Sequence, residues 1–536
     1  MSHIESFGVR NLRSFGSKKQ LIPIKKINIF VGKNSCGKST FLRTYPLLRQ
    51  SVESNTRSPI LWYGAFVDFG DLSTATHDGA EEIFFDFKSV LDFDRSHPER
   101  IIVQDYNVRH DPQRLSDSVT FATDISIGLK NHNTQVVSSS VIRIHNTEIV
   151  IKYTTTEKLE VTTRQYLWGV DDEECGVAVD EHTYSDLIML TKSSLIPTRI
   201  YGTREAKDAS DRLVRYLDEK AIPTAATKNL VSFLKPFASN SSKTIGQKVE
   251  DLYINSPDVL MSDLKKIFRN DKKFQESLLS SGEFIAETCF YHLIIKNLEK
   301  ILEAADASFK KLFSGVRYLG PLRASAERFY RHQDLQVGEV DHKGENLPMV
   351  INSLDQRRKR QLSTWISEKF GFELELAATG LHYELKIKED NDSKFHNISD
   401  MGFGYSQILP VIVSMWLELE ATTDRYPRGF MPSHSRTLVI EQPELHLHPA
   451  LQYKFGSALA QIASMSKSRD FRIVIETHSS QMIEAIGEGV RRNIITGDDI
   501  NITLFEKNDN DCTDITLSGF DSEGYLTNWP AGFLSA

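Results

Sequence analysis

Cysteine is scarce in this chain, and the four that are present (Cys36, Cys175, Cys289 and Cys512) are scattered, with no C-x-x-C pair. That spacing excludes a tetracysteine zinc module and a paired-cysteine zinc hook, and it fits a reducing cytoplasm, the expected location. Long apolar runs are missing as well. No window approaches ~20 uninterrupted apolar residues, and Met1-Ser2-His3-Ile4-Glu5-Ser6-Phe7 holds no basic leader ahead of an apolar stretch, so neither secretion nor contact with a membrane is expected. Positive charge is not in excess. The 64 Lys and Arg stand against 72 Asp and Glu, a net charge of −8, which argues against indiscriminate duplex binding by the whole surface but leaves room for a local basic groove. What remains is ordinary: 536 residues, 40% of them hydrophobic, enough for two or three domains with real cores.

The stretch from Gly32 to Thr40 stands out against this plain background. Gly32-Lys33-Asn34-Ser35-Cys36-Gly37-Lys38-Ser39-Thr40 has the form G-x-x-x-x-G-K-[ST], a complete phosphate-binding loop. Ile27 to Val31 before it is an apolar, partly β-branched run that predicts a buried strand. Lys38 to about Gln50 after it puts Phe41, Leu42, Tyr45, Leu47 and Leu48 on one side of a predicted helix. In that setting the glycines let backbone N–H groups converge on a polyphosphate at a helix N-terminus. Lys38 would reach the terminal phosphates, and Ser39 would offer its hydroxyl to Mg²⁺.

Taken in order, residues 1 to 31 alternate and predict two or three antiparallel strands feeding the loop. Trp62 to Asp71 reads as a turn and short strand, and Glu82 to Phe87 as a strand. From about 90 to 200 the pattern stays strand-like, with Ile101-Ile102-Val103, Val119-Thr120-Phe121, Val141 to Ile144 and Ile149 to Tyr153 separated by turn residues. From about 205 to 312 the spacing turns helical: Leu213, Tyr216 and Leu217, then Leu230, Phe233 and Leu234, and later Phe290, Leu293, Ile294, Leu298, Ile301 and Leu302. Pro223, Pro236 and Pro257 interrupt it, so no long coiled-coil arm is expected. Residues 316 to 536 return to alternating strand and helix. Within them Arg357-Arg358-Lys359-Arg360 lies on a predicted amphipathic helix, Leu354 to Phe370, and a solvated face explains the run better than a nucleic-acid contact.

Arg436-Thr437-Leu438-Val439-Ile440-Glu441-Gln442-Pro443-Glu444 is an apolar strand ending in acids, the form of a Walker B element. By position Glu441 serves Mg²⁺, and Gln442 stands where the carboxylate that polarises the attacking water is expected. Phe471 to Ser480 is a second buried strand with a polar tip, whose His478 is placed to contact the γ-phosphate. Between these elements and the loop, Asn397 to Gln407 brings the small residues Ser399, Gly402, Gly404 and Ser406 to the start of an apolar helix, Ile408 to Leu419. Since the chain has its own phosphate loop, this second anion-binding surface is expected to cap a nucleotide bound on another subunit.

The order of phosphate loop, glycine-rich signature, E-Q-P-E-L-H-L-H-P and E-T-H-S resembles ABC-type ATPases of the SMC-like and OLD-like branch. Roughly 400 residues separate the loop from the Walker B strand, which implies two lobes and a large insertion. The fold class implied is α/β: an ABC-type head with a mixed sheet and antiparallel β lobe. Lobe I would span 1–90, a β-rich insertion 91–204, a helical insertion 205–315, and lobe II 316–536. Tyr318 to Arg323, Gly338, Gly344-Glu345 and the tail from Asp521 to Phe533 are similar to ATPases of bacterial antiphage defence operons, such as the PtuA family of Septu-type and retron-associated systems. That resemblance implies ATP and Mg²⁺ as cofactors and a homodimer acting on a separate HNH-type effector nuclease, PtuB. In retron-associated members a reverse transcriptase and its msDNA would join. By the same resemblance Gly32 to Thr40 hold phosphates, Ser39 and Glu441 serve Mg²⁺, Ser399, Gly402, Gly404 and Ser406 form the trans signature, and His478 meets the γ-phosphate. Gln50 and the segment Val67 to Asp71 are alternative sites for the Q-loop, and Arg323 either faces the nucleotide or serves in a salt bridge. Two departures shape the expected function. Only 58 residues follow His478, too few for the Toprim nuclease domain of OLD proteins, so no nuclease is expected on this chain. Gln442 replaces the general base, so hydrolysis should be slow unless Glu444 or another acid substitutes. The leading expectation is therefore an ATP-gated regulator. The alternatives are an SMC-like DNA repair or translocating ATPase stimulated by DNA, and a self-contained nuclease.

Overall fold

The run Ile27–Gly32 forms an inner strand of a seven-stranded sheet with the order Val316–Leu319, Arg436–Glu441, Phe471–Glu476, Ile27–Gly32, Ile500–Lys507, Thr513–Phe520, Leu526–Thr527. The first five strands are parallel, and the last two turn antiparallel. The inner strands are apolar almost throughout and buried on both faces, as parallel strands covered by helices on each side must be. The loop strand therefore takes parallel neighbours from residues 471–476 and 500–507. It is not fed by an antiparallel set from residues 1 to 31 as its alternation suggested. The one polar side chain within it, Asn28, is satisfied by the carbonyls of Lys25 and Ile473 at 2.8 and 3.2 Å.

The computed structural model describes residues 2–54, 56, 58–94, 118–132, 135–154, 158–167, 177–189, 195–207, 213–331, 336–390, 392–421, 435–465 and 471–529. The strand expected at Ile101 to Val103 and the end of the tail, Pro530 to Phe533, lie outside them. The chain divides into two compact units. One comprises Met1–Gly8, Ser54–Ile60 and Ala80–Phe309, and the other Val9–Glu53, Leu61–Gly79 and Lys310–Ala536.

The second of these units carries the seven-stranded sheet. It also holds a small antiparallel sheet, in which Phe372–Thr379, Tyr330–Arg331 and His396–Asn397 pair with His382–Glu389. The helix expected from Lys38 to Gln50 is divided into Lys38–Leu42 and Thr44–Glu53. Pro46 explains the break, because it has no N–H for the Leu42 carbonyl and its ring crowds that turn. All five apolar residues assigned to one side are nonetheless buried. Gln356–Phe370 is the amphipathic helix the sequence predicts, capped by Asp355 and burying Leu362, Ile366 and Phe370. Arg357 and Arg360 are exposed, while Arg358 pairs with Glu420 at 2.6 Å.

The first unit is built on a second sheet, in the order Leu213–Asp218, Ile200–Lys207, Val177–Met189, Lys158–Leu167, Thr147–Tyr153, Gln135–Ile144, Ser118–His132, Glu82–Asp94, His3–Arg10. From Glu82–Asp94 to Leu213–Asp218 successive strands are antiparallel. Leu213, Tyr216 and Leu217 thus belong to a strand, correcting their helical reading. Tyr216 and Leu217 are 48% and 46% exposed, so their spacing marks no buried helical stripe, and the ladder with Ile200–Lys207 decides the conformation. The helices begin at Ala221 and include Lys272–Lys296, which docks on the sheet through Tyr291 to Thr163 (2.9 Å) and Gln165 to Thr288 (3.1 Å).

Candidate nucleotide site

The phosphate loop leaves its strand at Gly32, whose φ of 155° places a hypothetical Cβ 2.4 Å from the Phe505 carbonyl oxygen. Gly32→Ala should therefore lose on the order of 3 kcal/mol of stability, from backbone strain and overpacking together, measured by urea denaturation. At the other end Gly37 sits at φ 96° and packs on Thr513 and Ser14. The Thr513 hydroxyl donates to the Cys36 carbonyl at 3.0 Å and lies 2.9 Å from Ser14 Oγ, so the loop is braced from below. Phe30, Phe41 and Phe505 pack edge-on beneath it. Lys33, Asn34 and Ser35 are exposed at the rim, Cys36 and Gly37 are buried, and Thr40 is half-buried.

Lys38 is 4% exposed and folds over its own loop, donating to the Gly32 and Lys33 carbonyls at 3.0 and 2.7 Å. Burial lowers its pKa, an effect opposed by Glu476, whose Oε1 is 3.9 Å from Nζ. Ser39 donates to Glu476 Oε2 at 2.6 Å. Glu441 and Glu476 are register partners at the carboxyl ends of adjacent parallel strands, the edge where open α/β sheets receive ligands. Their surroundings differ. Glu441 accepts two bonds from the Arg43 guanidinium (2.7 and 2.9 Å) and one from the Tyr318 hydroxyl (2.7 Å), so both oxygens are taken. Those bonds raise the Arg43 pKa. Burial is the main cause that raises Glu476, partly offset by the Ser39 bond.

Gln442 follows Glu441 at φ 43°, and its N–H donates to the Glu476 carbonyl at 2.9 Å. Glu444 Oε1 accepts the His478 backbone N–H at 2.7 Å, while its Oε2 is buried. Burial raises the Glu444 pKa. His478 is exposed, and partial desolvation followed by the charge of Lys38 lowers its pKa. Gln442, Glu444 and His478 thus line the two strand tips beside the loop.

The glycine-rich segment divides. Ser399 and Gly402 face solvent, with Ser399 Oγ bonded to Asn397 Oδ1 at 2.9 Å. Gly404 packs on the His446 carbonyl, where a Cβ would come within 2.6 Å, and the Ser406 hydroxyl is buried and donates to Phe403 within its own helix at 2.7 Å. Gly404 and Ser406 therefore seat the helix Phe403–Ala421, and only Ser399 and Gly402 present an open surface. Gln50 joins the two alternatives considered for the Q-loop. It is buried, and its amide holds the Leu61 and Val67 carbonyls at 2.6 and 3.3 Å, leaving it to shape that segment. Arg323 meets backbone rather than a carboxylate. It donates to the Glu441 and Gln407 carbonyls at 2.8 and 3.4 Å, and burial pushes its pKa down to about 10.

The sequence reading missed Glu476, Arg43 and Tyr318. A signal for the first was present: Val439-Ile440-Glu441 and Val474-Ile475-Glu476 end their strands identically. Ser39 with the tip carboxylates is a hard oxygen set of the kind that suits Mg²⁺, which takes one or two carboxylates together with phosphate oxygens. Among the described residues there is no group of three or more His, Cys, Asp or Glu that could hold a metal ion.

Endonuclease GajA of Bacillus cereus (strain HuB5-5) is 23% identical over 297 residues, 48% of this chain and 40% of that protein, so less than half of that relative's length is spanned. The Smc head domain of Pyrococcus furiosus is aligned over 96% of each chain at 11% identity and a TM-score of 0.36. The SMC head domain of Thermotoga maritima is aligned over 96% of this chain and 98% of that one, at 10% identity and a TM-score of 0.32. At such scores these structural likenesses carry no further weight. The model of the AAA ATPase domain family matches residues 3–483, taking in the phosphate loop and both acid-tipped strands. The chain therefore belongs to the AAA ATPase domain family.

Proposed function

We propose that this chain is a slowly hydrolysing ABC-type ATPase that binds Mg²⁺ and ATP, works as a homodimer, and governs a separate effector nuclease in bacterial antiphage defence. The phosphate loop and Lys38 would take the polyphosphate, Ser39 and a strand-tip carboxylate the cation, and His478 the γ-phosphate side. Ser399 and Gly402 would reach the nucleotide of the second copy. The effector is expected to be of the HNH type, with a reverse transcriptase and its msDNA in a retron-type arrangement.

One observation carries the reading. The position where a base should polarise the attacking water holds the amide of Gln442, and the next acid, Glu444, is engaged with the His478 N–H. A loop built to bind, beside chemistry that is weakened, suits a protein whose output is its nucleotide-bound state. The full chain with ATP and Mg²⁺ should therefore turn over well below about 1 s⁻¹, the low end of ordinary enzymes. It should also shift from monomer to dimer in light scattering and be unaffected by added DNA. Rapid hydrolysis stimulated by DNA would instead identify a repair or translocating ATPase. Cleavage of plasmid by the chain alone, with divalent metal, would identify a nuclease.

A further inference from the structure

We infer that Glu476, beside Ser39, is the carboxylate that directly ligates the divalent cation accompanying the nucleotide, and that Glu441 serves to hold Arg43. The inference rests on the nucleotide-binding reading above and assigns the cation within that site. Three observations lead to it. The strand Phe471–Glu476 is the immediate neighbour of the loop strand, whereas Arg436–Glu441 lies one strand farther away. The Ser39 hydroxyl, which the loop pattern assigns to the cation, is bonded to Glu476 at 2.6 Å. Glu441 and Glu476 are equally buried, at 1% and 2% exposed, but both oxygens of Glu441 are held by Arg43 and Tyr318.

Electrostatics separates the two acids in the same way. A bidentate guanidinium–carboxylate pair is among the stronger side-chain contacts. It already neutralises Glu441, and turning that acid to a cation would leave the Arg43 guanidinium without its bidentate partner. Glu476 has a weaker set, one hydroxyl and a Lys38 ammonium at 3.9 Å. Ser39 can turn its hydroxyl oxygen toward a cation without breaking an ion pair, and Lys38 would exchange its two loop carbonyls for phosphate. Glu476 would then exchange one hydrogen bond for a ligand bond, the smaller rearrangement of the two.

Mn²⁺ supplies the test. Its binding to the full chain with ATP can be followed by electron paramagnetic resonance, alongside ATP affinity in EDTA. Glu476→Gln keeps an acceptor for Ser39 and should weaken Mn²⁺ at least tenfold while leaving ATP affinity in EDTA within about threefold. Glu476→Asp, which restores the charge, should recover part of the Mn²⁺ affinity, which a merely structural role would not do. Glu441→Gln should change Mn²⁺ affinity less than threefold and, with the Arg43 pair gone, lower the melting temperature. Mn²⁺ bound as tightly by Glu476→Gln as by the unaltered chain, or lost only in Glu441→Gln, overturns the assignment. If the unaltered chain binds no ATP, the nucleotide reading falls as well; if it binds Mn²⁺ with ATP and Glu476→Gln does too, only the cation assignment falls.

Discussion

Lys38→Ala is expected to abolish measurable ATP binding by the full chain, raising Kd by at least a hundredfold. Its ammonium is the one cation that the loop encloses, and at 4% exposure it is largely dehydrated before any ligand arrives. Removing one member of a buried, hydrogen-bonded charge pair typically costs about 2–5 kcal/mol, and each ~1.4 kcal/mol is a tenfold change in Kd. The loss should fall mainly on the nucleotide. Without ligand, Lys38 satisfies two carbonyls of its own loop at 3.0 and 2.7 Å, and that of Lys33 belongs to the exposed rim, where water can replace the bond. Calorimetric titration with ATP, paired with a melting curve, separates the outcomes. Lost affinity with a melting temperature within a few degrees of the unaltered chain fits the site. Unchanged affinity would remove the loop from the function altogether.

The part of this site that was legible in the sequence is the part made of consecutive residues. Gly32 to Thr40 announces itself because loop, strand and helix are adjacent in the chain, and Arg436 to Glu441 because five apolar residues or stems end in an acid. The partners of those residues were not legible, since they come from far along the chain. Arg43 and Tyr318 reach Glu441 across 398 and 123 positions, and Ser39 reaches Glu476 across 437. Which acid sits nearer the loop depends on strand order, and nothing in either strand's own residues states that order. The same limit produced the local misreadings. Leu213 to Asp218 has a helical spacing, yet a neighbouring strand was available to pair with it. Gly404 and Ser406 read as open, small residues until the His446 carbonyl and the Phe403 turn closed on them. The alternation of residues 1 to 31 was read as one set of strands because the sequence could not show that Ile27–Gly32 lies between two parallel neighbours.

Gln442→Glu is the substitution expected to change the chemistry most. A general base contributes about 10²–10⁴-fold to a rate, so restoring one sets that range as the ceiling for the gain in ATP turnover. The surroundings argue for the lower end. Position 442 follows Glu441 directly, and its N–H is tied to the Glu476 carbonyl. A new carboxylate there would therefore stand near two existing acids and be held partly protonated by like charge. Glu441, neutralised by Arg43, contributes less to that repulsion than Glu476. A ten- to hundredfold rise in turnover is expected, with a correspondingly shorter life for the proposed ATP-bound dimer, measured by phosphate release and light scattering on the same sample. Glu444→Gln provides the contrast. It keeps an acceptor for the His478 N–H but removes the carboxylate charge. If Gln442→Glu leaves the rate unchanged and Glu444→Gln stops it, Glu444 is the base, and the slow hydrolysis proposed above can no longer be traced to Gln442.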